Sequence, residues 1–130
     1  MKVRQIMGKP KAVSPDTSVK DAAKLMAEFD ISTLFVVVGK KVMGMVTDMD
    51  IIRRFATSDS RSKDMPVKEI MTSHLITVDA GENVEEAVFI MQKNGIRRLP
   101  VVEKGKFIGI ITTDYISAHA SELGVDALFD

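Results

Sequence analysis

The sequence predicts a mixed α/β (α+β) protein made of two copies of one β-α-β-β-α unit, packed with pseudo-two-fold symmetry. Three observations carry that prediction. An internal repeat covers nearly the whole chain. One stretch of each copy spaces its apolar residues three and four apart, as a helix with one buried face does. Two short apolar runs around a two-residue turn then follow, as in a β-hairpin.

The repeat comes first. Val3, Ile6 and Met7 recur as Val67, Ile70 and Met71, an offset of 64. From Val13 onward the offset is 65. Val13 matches Val78, Val19 matches Val84, Ala22 matches Ala87 and Met26 matches Met91. Ile31, Leu34, Val36 and Val37 recur as Ile96, Leu99, Val101 and Val102. Gly44, Thr47 and Ile51 recur as Gly109, Thr112 and Ile116. The offset changes between Met7 and Val13, where a loop absorbs one residue. By sequence the copies span residues 1–58 and 67–130, joined by a linker at 59–66 within the polar stretch 56–66.

Each copy opens with a short extended stretch, at residues 12–14 and 75–78. The first helix follows. Val19, Ala22, Ala23 and Met26 form one apolar face, repeated by Val84, Ala87, Val88 and Met91. Ser18 with Asp21 reads as a capping box, and Asn83 with Glu86 as a close variant of it. The hairpins come next. Residues 34–38, the Gly39-Lys40 turn and residues 42–46 form one; residues 99–103, Lys104-Gly105 and residues 106–111 form the other. Their continuous apolar runs predict strands covered on both faces. A second helix runs from Asp48 to about Phe55, and from Asp114 to about Leu123 with Gly124 as its stop. So small a sheet leaves an open apolar face. Packing one copy on the other buries it economically and predicts a cleft where the sheets meet.

Composition narrows the function. The 130 residues are 45% hydrophobic with no Trp, so the core is built from aliphatic residues and some of the nine Met. Eighteen basic residues balance eighteen acidic ones. That leaves no global field for DNA or an anionic membrane. Stacking aromatics are scarce, which also argues against nucleic acid. The absence of Cys excludes disulfides, Cys-ligated zinc and thiol catalysis. His74 and His119 have no partners at metal-ligand spacing, so no metal is expected. No apolar run approaches the roughly 18 residues of a membrane span. The first residues lack the apolar core of a signal peptide. A soluble, cytoplasmic protein is the expectation.

The order of short motifs resembles a known family. Ile6-Met7, Val13-Ser14-Pro15-Asp16, residues 22–26 and Gly44-Met45-Val46-Thr47-Asp48-Met49-Asp50 are similar to a CBS (cystathionine-β-synthase) domain. So are Ile70-Met71-Thr72, Arg97-Arg98-Leu99-Pro100-Val101-Val102 and Gly109-Ile110-Ile111-Thr112. The resemblance covers essentially the whole chain and implies a tandem pair, or Bateman module. It implies a regulatory module, not an enzyme. The ligand would be an adenosine-containing molecule (AMP, ADP, ATP or S-adenosylmethionine) bound in clefts between the copies. It also implies homodimers, and a signal passed to a separate effector protein. No nucleophile–base pair or phosphate-binding loop argues for catalysis. The alternative is a structural or protein-interaction pair whose clefts are empty or degenerate.

Within the resemblance, Thr47 and Asp50 occupy the family's ribose motif. A carboxylate accepts hydrogen bonds from both vicinal ribose hydroxyls, and its charge strengthens them. Thr47-x-x-Asp50 is equally a capping box, and the roles are compatible because one oxygen can cap while the other faces a sugar. In the second copy Thr112 is present, but Tyr115 stands in place of Asp50. Asp114 lies one residue early, about 100° around the helix unless the helix starts in a shifted register. Arg97 and Arg98 suit a phosphate clamp or a solvated pair. Their counterparts are the uncharged Ser32 and Thr33. By resemblance, Ile76 is a candidate adenine contact for the Thr47–Asp50 cleft, and Lys11 holds the matching position in the other. Lys9, Lys11 and His74 lie in the segments leading into each first strand, where plain solvation competes with a binding role.

Overall fold

The computed structural model describes residues 1–59 and 64–119. Gly124 and the apolar Ala127-Leu128-Phe129 lie outside these residues. A short helix α1 (Val3–Ile6) precedes β1 (Ala12–Val13), α2 (Val19–Phe29), β2 (Thr33–Val38) and β3 (Lys41–Thr47). Next comes α3 (Asp48–Asp50), which continues as a π-helix (Ile51–Ala56). A 3-10 turn (Val67–Glu69) opens the second copy, followed by β4 (Val78–Asp79), α4 (Val84–Asn94), β5 (Arg98–Glu103), β6 (Lys106–Thr112) and α5 (Thr113–Ala118). Both copies therefore show the predicted element order. One prediction is corrected: the helix expected over residues 48–55 is a single α-turn followed by a π-turn.

The first helices bury the predicted faces: Val19, Ala22 and Met26 in α2, and Val84, Ala87, Val88 and Met91 in α4. Ser18 Oγ accepts a hydrogen bond from the Asp21 N–H at 3.0 Å, a working N-cap. Asn83 makes no side-chain cap bond, contrary to the expected variant. In α4, Glu85 and Glu86 in the first turn complement the helix dipole.

Each copy forms one three-stranded sheet, in the orders β1-β2-β3 and β4-β5-β6. The first pair in each is parallel and the second is the antiparallel hairpin. Val36 faces Gly44 while Val37 faces Val42, so Met43 is an extra residue, a β-bulge. The same bulge recurs between Val101 and Val102. Leu34, Phe35 and Val36 are buried in succession, so both faces of β2 are covered as the apolar run predicts.

By compactness the chain divides into unit 1 (Met1–Lys9 and Ile76–Asp130) and unit 2 (Pro10–Leu75). These boundaries differ from those of the repeat. The leading segment of each sequence copy belongs to the other copy's body. Val3 and Ile6 join the core of Val84, Met91, Leu99 and Ile111. Val67 and Ile70 join that of Val19, Met26, Leu34 and Val46. The backbone repeats the exchange: Lys2 bridges Asn83 as Pro66 bridges Ser18, and Gly8 bridges Ile110 as Thr72 bridges Met45. In unit 1 the Arg4 guanidinium also pairs with the Glu103 carboxylate, and that hydrogen bond holds the Glu103 carboxyl below its ordinary range.

Candidate functional site

In unit 2 the site grows from the end of β3. Thr33 and Thr47 are paired across β2 and β3, and the Asp48 N–H donates to the Ser32 carbonyl at 3.0 Å, fixing the strand-to-helix junction. Thr47 Oγ1 accepts from the Asp50 N–H at 3.1 Å, and Asp50 Oδ2 accepts from the Thr47 N–H at 2.9 Å. The capping box is complete. It uses only one carboxylate oxygen. Oδ1 faces Arg54 Nε at 3.9 Å, and the Asp50 side chain is 15% exposed.

Arg54 and Thr33 were not candidates from the sequence. The Arg54 Nη1 group donates to the Ile70 carbonyl at 3.1 Å and more weakly to that of Met71 at 3.4 Å. It thus ties the segment crossing β3 to the helix carrying Asp50. Its i,i+4 spacing from Asp50 was the available signal. Among the described side chains, the Thr33 Oγ1 atom is buried without a hydrogen-bond partner. Buried hydroxyls are rarely left so. Its position opposite Thr47, equivalent to Arg98, was the signal.

Gly44 has a steric reason. The segment through Thr72 lies directly over it, and a Cβ there would come within 2.6 Å of Met71 Sδ and 2.8 Å of the Thr72 carbonyl oxygen. Gly109 meets Met7 Sδ in the same way, at 2.7 Å. Lys11 also belongs to unit 2. Its carbonyl accepts from the Phe35 N–H at 3.0 Å, and its ammonium lies 4.1 Å from the Phe29 ring centroid, a cation–π contact.

In unit 1 the second motif keeps the register of the first. Thr112 caps α5, accepting from the Tyr115 N–H at 3.0 Å, and pairs with Arg98 across the sheet. No shifted start occurs. Tyr115 holds the place of Asp50, and Asp114 that of Met49, exposed on the first turn. Arg97 and Arg98 are exposed at the start of β5, and the Arg97 carbonyl accepts from the Thr113 N–H at 3.0 Å. Ile76 lies two residues before β4 and is also exposed. The structure thus joins Thr47 to Asp50 and sets Arg98 opposite Thr112.

The chain belongs to the CBS domain family, whose matches fall at residues 3–57 and 67–121, one on each copy. It is a tandem CBS pair, and its two three-stranded sheets with flanking helices are those of solved pairs. An uncharacterized conserved protein from Pyrococcus horikoshii is 34% identical with a TM-score of 0.80, over 92% of this chain and 91% of that one. The CBS domain pair of protein MJ0100, solved in complex with 5′-methylthioadenosine and S-adenosyl-L-methionine, is 29% identical with a TM-score of 0.79, over 94% and 97%. The CBS domain-containing protein YhcV of Bacillus subtilis is 34% identical over 76% of this chain and 70% of its own length. Inosine-5′-monophosphate dehydrogenase of Korarchaeum cryptofilum is 45% identical over 77% of this chain, which spans only 20% of that enzyme. Among the described residues, no helix is long and apolar enough to cross a membrane.

Proposed function

We propose that this CBS pair is a regulatory module that binds an adenosine-containing ligand at the Thr47–Asp50 motif and catalyses nothing itself. The observation that carries the reading is the divided use of the Asp50 carboxylate. Oδ2 serves the cap, while Oδ1 has only the distant Arg54 guanidinium. A partly buried carboxylate with a free acceptor suits the vicinal hydroxyls of a ribose. The orphaned Thr33 hydroxyl opposite Thr47 adds a second polar group with unmet capacity. The complex of the MJ0100 pair with two adenosine compounds supports the ligand class. Occupancy then signals by favouring one arrangement of the pair, which requires different affinities for two conformations. The signal's recipient is a separate effector protein or another domain.

Calorimetric titration with AMP, ADP, ATP and S-adenosylmethionine tests this. Asp50→Ala is expected to weaken the best ligand by about 1.5–3 kcal/mol, the range for a hydrogen bond to a charged group. Asp50→Asn keeps the capping shape while removing the charge, so it separates loss of ligand contact from loss of the cap. Unchanged affinity in both variants, with the fold intact, removes Asp50 from the site. Tyr115 in the second motif favours a second reading, an interaction module with empty sites. A ligand at about 100 times its Kd adds about 2.7 kcal/mol of stability, so melts unmoved by all four ligands select that reading.

A further inference from the structure

The two motifs differ in more than one residue, and the differences fit one another. In the first copy, Thr72 crosses the strand that leads to Asp50. In the second, Gly8 crosses the strand that leads to Tyr115. The Gly8 N–H donates to the Ile110 carbonyl at 2.8 Å, and the Ile110 N–H donates back at 3.0 Å, so Gly8 is fixed on β6. The Tyr115 side chain lies against it. A Cβ on Gly8 would come within 2.6 Å of Tyr115 Cε2, 2.7 Å of its hydroxyl oxygen and 2.9 Å of Cζ. The ring needs a glycine there, and the chain supplies one. Where the first copy has Thr72 at the crossing and Asp50 in the motif, the second has Gly8 and Tyr115.

We propose that Tyr115, seated on Gly8, closes the second motif to the ribose, so that each chain takes one nucleoside ligand, at Thr47–Asp50. A phenol oxygen carries no formal charge, whereas the Oδ1 that Asp50 keeps outside its cap is a charged acceptor. It cannot grip two vicinal hydroxyls as Asp50 can. The ring stands over Gly8, where a short side chain would not reach, and is 38% exposed there. Asp114 does not replace it, because Thr112 caps at Tyr115 and leaves Asp114 exposed about 100° away around the helix. This inference rests on the nucleotide-binding reading of the first motif.

Calorimetry on the full chain, with S-adenosylmethionine and AMP as probes, tests it. The expected result is one ligand per chain for wild type, two for Tyr115→Asp, and for Asp50→Ala one ligand held roughly 10- to 150-fold more weakly, the loss expected for this variant above. Two ligands on wild type, a ligand held by Asp50→Ala at wild-type affinity, or no added site in Tyr115→Asp overturns the closure. If wild type binds none while Tyr115→Asp binds one, the closure stands and the nucleotide reading of the first motif fails. A second measurement is independent of whether Tyr115→Asp folds. Tyr115 is the chain's single tyrosine, so fluorotyrosine labelling gives one fluorine signal from this ring. Gly8→Ala, whose methyl group must displace the ring, shifts that signal; an unmoved signal overturns the seating of Tyr115 on Gly8.

Discussion

At the scale of single residues, Gly44 and Asp50 show how one motif combines packing with chemistry. Gly44 looks like a family signature in the sequence. In the fold it is the floor under Met71 and Thr72. Gly44→Ala is therefore expected to destabilise by about 1–3 kcal/mol, the usual cost of overpacking. Chemical denaturation checks this, and a change below about 0.5 kcal/mol would mean that the segment over Gly44 yields freely. Asp50 was legible as a cap, because Thr-x-x-Asp at a strand end is a capping box, and the structure forms that box; its proposed role toward a ribose rests on the family resemblance. Arg54 was less legible. Its contacts with the Ile70 and Met71 carbonyls span 16 and 17 residues, and no local pattern reports them.

At the scale of elements, local signals worked where the backbone alone decides. The apolar spacing placed both first helices, and the glycine-containing turns placed both hairpins. The caps separate two cases that look alike in sequence. Ser18 caps with its side chain and Asn83 does not. Ser18→Ala should cost about 1 kcal/mol, within the 0.5–2 range for caps. Asn83→Ala should stay within about 0.5 kcal/mol, as for a side chain without a specific role. Urea midpoints compare the two, and equal losses would refute the distinction. The π-turn after Asp50 and the bulges in both hairpins escaped the sequence reading. Each inserts one residue into a regular ladder, and a smooth apolar pattern does not register that.

At the scale of the whole molecule, the repeat and the compact units disagree, and the disagreement is physical. Val3 and Ile6 belong by sequence to the first copy and by packing to the core of the second. Ile6→Ala should therefore destabilise unit 1, by about 2–5 kcal/mol for a buried isoleucine. Hydrogen exchange locates the effect. Amides of α4, β5 and β6 are expected to lose more protection than those of α2, β2 and β3. The opposite order would return α1 to its own copy.

The sequence by itself determined the duplication, the order of elements in each copy, the apolar faces of α2 and α4 and the place of the Thr47–Asp50 motif. These follow from spacing along the chain, and spacing is a local property. Only the tertiary structure decided that leading segments exchange bodies, that Arg54 reaches the segment over β3, that the Thr33 hydroxyl is buried unpaired, and that Tyr115 rests on Gly8. Gly8 and Tyr115 are 107 residues apart in sequence, since 115 − 8 = 107. A contact across that distance exists only once strand pairing has brought Gly8 onto β6, and no periodicity encodes which distant residue the register will choose.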